Sequence, residues 1–169
     1  MDSIVITPFV GIGPFKLGMS ESEVKETFVT HAHWRRANQA YNESIMEELF
    51  VNFEYDSNNK VKFIEVVNPA YAGLFHIPCL YNGIDVFTTK TDELVFEIDK
   101  DTKYIRDSES ELGYMYIFPE RQLTFWREGV ITEEIMNSEE FLEMPPENQE
   151  LEKRYFYFTT VSIAVPGYR

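Results

Sequence analysis

The chain has 169 residues, an apolar share of 44% and 29 acidic against 15 basic residues, for a formal charge of −14. That length suits one domain with a single hydrophobic core, and that charge disfavours nucleic acid and anionic membrane surfaces as direct partners. The lone Cys79 allows no internal disulfide, which argues against a stapled secreted domain.

The N-terminal stretch from Met1 to Pro8 carries no positive n-region, and every apolar run is soon broken by charge, Asn or Pro, so a soluble, cytoplasmic protein is expected. Ile4 to Ile6 alternate as a short opening strand. Gly11-Ile12-Gly13-Pro14-Phe15-Lys16-Leu17-Gly18 then reads as a turn and a short extended piece. Ser20-Glu21-Ser22-Glu23 has the form of a capping box, and Val24 and Phe28 share the apolar face of the helix it opens. The period is weak from His33 to Tyr41. It returns as alternation at Leu49, Val51, Phe53 and Tyr55, where Asp56-Ser57-Asn58-Asn59-Lys60 supplies turn chemistry before a second strand from Val61 to Val67. Asn68-Pro69 ends this hairpin.

The second half echoes the first. Gly83-Ile84-Asp85-Val86-Phe87 parallels Gly11-Ile12-Gly13-Pro14-Phe15, and Thr91-Asp92-Glu93-Leu94 parallels Ser20 to Val24 with one residue fewer. Leu94, Val95 and Ile98 mark another short helix, and Tyr104 to Arg106 reads as a strand. Tyr114 to Phe118 and Gln122 to Trp126 flank the Pro119-Glu120-Arg121 turn as a second hairpin. The expected architecture is a single α+β domain over 1–169: an antiparallel sheet with short helices on one face. Half-repeats over 9–69 and 81–128 and a closing strand over 154–165 complete it. The 15% aromatic content fits a fold rich in strands.

Between Ile131 and Glu152 stand eight glutamates and no lysine or arginine, with one helical turn expected at Ser138 to Leu142 before Pro145-Pro146 stops it. An apolar, β-branched run from Tyr155 to Val165 should be a long final strand paired inside the sheet.

Chemistry-bearing patterns are sparse. His31 and His33 would share one side of a strand, with His76 or a carboxylate as a third ligand, but the cationic neighbours Arg35 and Arg36 disfavour a metal there. Cys79, between Pro78 and Leu80, reads as a small apolar filler at a strand edge or in a loop. Pro14 removes an N–H from the only Gly-x-Gly turn, so no phosphate cradle is expected, and no nucleophile elbow is present. The reading is therefore of a protein without catalytic residues, cofactor or metal. The residues that suit partner binding are Glu133, Glu134, Glu139, Glu140 and Glu143, which concentrate negative charge, together with Trp126, of a residue type that anchors interfaces. A basic protein is the matching partner. A small-molecule pocket lined by the abundant Phe and Tyr is the alternative.

The segment Gly11-Ile12-Gly13-Pro14-Phe15-Lys16-Leu17-Gly18-Met19-Ser20-Glu21-Ser22-Glu23-Val24 resembles the opening G-[IV]-G-x-[FIL]-x-[FL]-G-M-[ST]-x-x-E-V of small bacterial proteins of unknown function, some of them similar to immunity proteins of polymorphic toxin systems. It also resembles the extended-helix-strand repeat of the beta-lactamase-inhibitor-protein-like fold. The match covers fourteen residues and its weaker echo at Gly83 to Leu94. What the resemblance implies is a tandem repeat, with helices on one face of an antiparallel sheet, that occludes another protein; taken with the net charge and the absence of catalytic sets, the expected partner is a basic toxin such as a nuclease. The Gly-Met pair has no counterpart in the second half, where Thr89-Lys90 stands near its place.

Overall fold

The computed structural model describes residues 3–31, 51–69 and 77–169. The fold is α+β, with two five-stranded sheets and short helices. The first sheet comprises β1 (Ile4–Thr7), β2 (Gly11–Ile12), β3 (Phe15–Lys16), β6 (Cys79–Tyr81) and β7 (Ile84–Asp85), in the order β3-β2-β1-β6-β7. It is mixed, because β1 runs parallel to β6 with Ile4 opposite Cys79. The second sheet comprises β4 (Val51–Tyr55), β5 (Val61–Val67), β8 (Met115–Phe118), β9 (Leu123–Trp126) and β10 (Thr160–Ala164), in the order β4-β5-β10-β9-β8. It is antiparallel throughout.

Both strand orders read symmetrically. The parallel pair β1 and β6 has hairpin partners on its two outer sides, and β5 and β9, each antiparallel to β10, flank that strand equally. Strand β1 lies ahead of residue 9 and β6 begins before residue 81, so neither falls wholly inside the bounds expected for the half-repeats.

Local chemistry accounts for the first half. Ile4 and Ile6 face the core while Val5 between them is exposed, the period-two alternation of a half-buried strand. Helix α1 (Glu21–Thr30) starts at a complete capping box: the Glu23 N–H donates to Ser20 Oγ at 3.2 Å and the Ser20 N–H donates to Glu23 Oε2 at 2.7 Å. The bond from Ser20 holds the Glu23 carboxyl below its usual value. Ser20→Ala should therefore lower folding stability by about 1 kcal/mol, as a urea titration would measure; an unchanged midpoint would mean that the cap contributes nothing. Phe28 of α1 packs its ring 4.9 Å from Phe15 and 6.0 Å from Phe53, which fastens the helix to both sheets.

The β4–β5 hairpin follows the expected turn chemistry, since Asp56 Oδ1 accepts from the N–H groups of Asn58 and Lys60 and Asn59 adopts a left-handed φ of 56°. Leu49 lies outside the described residues. In the second half, Asn82-Gly83, with φ of 50° and 79°, closes β6 onto β7; two consecutive positive φ values are what a tight hairpin turn needs. Helix α2 (Thr91–Asp99) buries Leu94, Val95 and Ile98. Thr91 is its first residue and not its cap, a departure from the echo of Ser20: the cap position is Lys90, with no side-chain bond to the helix. Tyr104 to Arg106 is not a strand. It is an irregular stretch held by one bond from the Ile105 N–H to the Ile117 carbonyl, after which the short helix α3 (Ser108–Leu112) leads into β8.

The acidic segment is more structured than one turn. It forms α4 (Glu133–Met136), α5 (Glu139–Leu142) and α6 (Pro146–Glu152), followed by a 3-10 helix over Lys153–Phe156. Thr132 and Ser138 cap the first two. Pro145-Pro146 ends α5 and also starts α6, because a proline in the first helical turn gives up only an N–H that had no partner. The expected long closing strand is thereby shortened to β10, whose residues are all buried.

Candidate functional site

The segment that joins β9 to β10 leaves the sheet at Trp126 and returns at Thr160, its register partner. Arg127 ties down its base. This side chain is 3% exposed; its Nε donates to the Gly113 carbonyl at 2.6 Å and its Nη1 to the Tyr155 carbonyl at 2.8 Å. Across the top, Lys90 donates to Glu133 at 2.9 Å and lies 4.7 Å from the Phe156 ring centroid, so the segment is also pinned to the start of α2. The pairing with Glu133 raises the Lys90 pKa.

These links enclose a cleft of about 200 Å³ lined by Lys90, Thr91, Arg127, Thr132, Glu133 and Phe156, among others. The Thr91 hydroxyl is buried there with no hydrogen-bond partner among the described residues. Around the corner, between α2 and β8, a groove of about 240 Å³ is lined by Asp92, Val95, Phe96, Asp99, Tyr104 and Tyr116. Arg106 sits beside it with its guanidinium 3.5 Å from the Tyr104 ring centroid, donating to both Asp99 oxygens at 3.0 and 2.9 Å. That fork lowers the Asp99 pKa and raises the Arg106 pKa. Burial raises the Tyr116 pKa, with Arg127 opposing the shift and Asp92 adding to it.

The residues singled out for partner binding divide into two places. Glu133, Glu134, Glu139, Glu140 and Glu143 are all exposed on α4, α5 and the end of α5. Glu133 is engaged by Lys90, whereas Glu134, Glu139, Glu140 and Glu143 have no ion-pair partner among the described residues. Some carboxylates elsewhere pair locally, as Glu21 does with Lys25, Glu97 with Lys100 and Glu54 with Lys62. Four carboxylates without an ion pair among the described residues thus stand close together in sequence here, as Asp92 and Glu93 or Glu109 and Glu111 do elsewhere, and the aliphatic side chains of Ile135 and Leu142 emerge among these glutamates. Trp126 stands apart. It is 37% exposed and points to the opposite face of β9 from the fully buried Phe125, in register with Met115 and Thr160.

His31 is at the C-terminal cap of α1, with Nδ1 2.8 Å from the Thr27 carbonyl, and so does not lie on a strand; His33 and His76 lie outside the described residues. Among the described residues no three His, Cys, Asp or Glu side chains are grouped to hold a metal ion. Cys79 is fully buried in β6, between β1 and β7, and is not at an edge. Burial, with the Asp85 charge adding to it, pushes its thiol far above the usual range, which keeps it protonated. No helix of the described residues is long and apolar enough to cross a membrane.

The groove between α2 and β8 went unremarked in the sequence. Its trace there was Asp92, Phe96 and Asp99 at helical spacing, with Phe96 on the side away from Leu94 and Ile98. No protein-family model matches the chain, and neither a curated protein nor a solved structure matches it.

Proposed function

We propose that the protein is a non-catalytic acidic binding protein of the immunity or inhibitor type, which neutralises a basic protein such as a nuclease toxin by laying its α4–α5 surface over the basic site. One observation carries this reading: Glu134, Glu139, Glu140 and Glu143 are exposed and lack cationic partners among the described residues, on a segment anchored by a buried arginine. Exposed charges left without local neutralisation give a long-range field that speeds encounter with an oppositely charged surface. Ile135 and Leu142 supply apolar contact once the surfaces meet.

Affinity capture from the native host should recover a basic protein. Its binding should weaken by about ten-fold or more in the Glu139→Lys, Glu140→Lys double variant and fall steeply as salt is raised. Recovery of no such protein, or binding indifferent to both salt and charge reversal, would falsify the reading. A small-molecule role is the second reading: the two clefts beside α2 are smaller than pockets that enclose most of a drug-sized ligand, which run from about 300 Å³ upward, but a hollow of about 520 Å³ lined by Pro8, Phe9, Tyr81, Asn82, Asp101 and Arg121 falls within that range.

A further inference from the structure

We infer that the groove between α2 and β8 is a slot for a single arginine side chain of the partner protein, held by Asp92, Phe96 and Tyr116. The inference rests on the reading above that the partner is basic, and it places the anchor away from α4 and α5.

The lining of the groove has the chemistry of a guanidinium site. Asp92, Phe96 and Asp99 project from one face of α2, Tyr104 and Tyr116 close the other wall, and no basic side chain is among them. A guanidinium is planar, weakly hydrated and forked, so it stacks on aromatic faces while donating to carboxylate and phenol oxygens. The chain already makes such a contact at the groove's margin, where Arg106 covers Tyr104 and chelates Asp99. What remains uncommitted is the other end. Asp92 has no ion-pair partner among the described residues. Phe96 is 66% exposed, a large ring left in water apart from the Lys100 ammonium 4.7 Å from its centroid. Tyr116 is only 7% exposed, its ring wedged against Tyr104 and Phe158, and its hydroxyl, within the field of Asp92, makes no hydrogen bond with the described residues. The ring is buried but the hydroxyl itself is not, so within the groove it is open to an incoming partner. A guanidinium between Asp92 and Tyr116, stacked on Phe96, would supply one.

The surrounding charges set the preference. Arg106 and Lys103 compensate Asp99, Lys100 lies 4.7 Å from the Phe96 ring centroid, and Arg127 lies behind Tyr116. With those cations near, bulk field alone holds an incoming charge weakly, and the short-range stacking and forked bonds that arginine has and lysine lacks become decisive.

The test titrates the full-length, 15N-labelled chain with Nα-acetyl-arginine N-methylamide, and in parallel with the capped lysine and capped citrulline analogues. Expected are saturable shifts confined to amides of residues 92–99 and 114–117 with the arginine probe, weaker ones with lysine and none with citrulline. Phe96→Ala, at an exposed position that leaves the core intact, and Tyr116→Phe, which keeps the ring, should each weaken binding by about three- to five-fold. Absence of saturable shifts in the groove, equal response to citrulline or lysine, or indifference to both substitutions overturns the slot. Shifts confined to 133–152 overturn it too, and leave the acidic-surface reading standing. Groove binding that persists while the captured partner ignores charge reversal at Glu139 and Glu140 overturns that reading and leaves the slot intact.

Discussion

Ile163→Ala should cost about 2–5 kcal/mol of folding stability, the range for deleting most of a fully buried isoleucine from a close-packed core. The position gives reason to expect the upper part of that range. Ile163 has no exposed surface, faces Ile64 across one ladder and Leu123 across the other, and so contacts both hairpins of the second sheet at once. A cavity here has walls on two strands that are themselves held in register, so neighbours have little freedom to collapse into it. Chemical denaturation followed by fluorescence measures the effect. A loss below about 1 kcal/mol would mean that β10 is not the central strand, since even an isoleucine-to-valine change in a core typically costs that much. Removing residues 160–169 altogether should abolish cooperative unfolding, because β5 and β9 have no direct pairing with each other.

Arg127→Ala should cost about 3 kcal/mol and loosen the whole 128–158 segment. Its guanidinium donates to two carbonyls from different parts of the chain, Gly113 at the start of β8 and Tyr155 at the end of the acidic segment. Truncation removes both donors and leaves the buried Gly113 carbonyl and the part-buried Tyr155 carbonyl poorly satisfied, at about 1–3 kcal/mol for the buried one and less for the other. Lysine is no substitute at such a site, since a single ammonium lacks the forked geometry. Gly113 is part of the same arrangement: it has φ of 87°, and a Cβ there would meet Arg127 Nη2 at 2.8 Å. The expected signature is a fall in melting temperature of about 6–12 °C, at the scale of about 2–4 °C per kcal/mol for a chain of this size. Faster amide exchange across 128–158 should accompany it. Unchanged exchange there would show that the segment is held by its own contacts and not by this arginine.

Both hairpins of the second sheet and the start of α1 were legible in the sequence because their signals are local. A capping box, an Asx turn at Asp56 and alternating Val and Phe positions each bind neighbours within a few residues. The Asn82-Gly83 turn was equally local and was passed over in favour of the glycine echo, although it is the stronger hairpin signal. The parallel pairing of Ile4 with Cys79 had no local trace at all, since nothing in either short strand specifies a partner so distant in sequence. Tyr104 to Arg106 carries the composition of a strand, yet Arg106 turns its guanidinium back onto Tyr104 and Asp99, which leaves the backbone a single ladder bond.

The candidate site divides the same way. Exposure of the glutamates followed from their run in the sequence, and the turn at Ser138 from its own cap, whereas the helices that start after Thr132 and at Pro146 did not. The outward face of Trp126 is the strand alternate of the fully buried Phe125 beside it, which the sequence alone does not mark as core. The Asp92–Tyr116 groove did not follow, because its two walls come from elements that meet only through tertiary packing.

The central place of β10 bears on how the molecule matures. It follows β5 by more than half the chain and yet fills the gap beside it. During synthesis the β4–β5 and β8–β9 hairpins emerge from the ribosome well before the strand that joins them, each presenting an open edge of unpaired amides and carbonyls. The nascent protein is thus exposed to mispairing with other copies until residues 160–164 arrive, and chaperone engagement should be strongest in that interval.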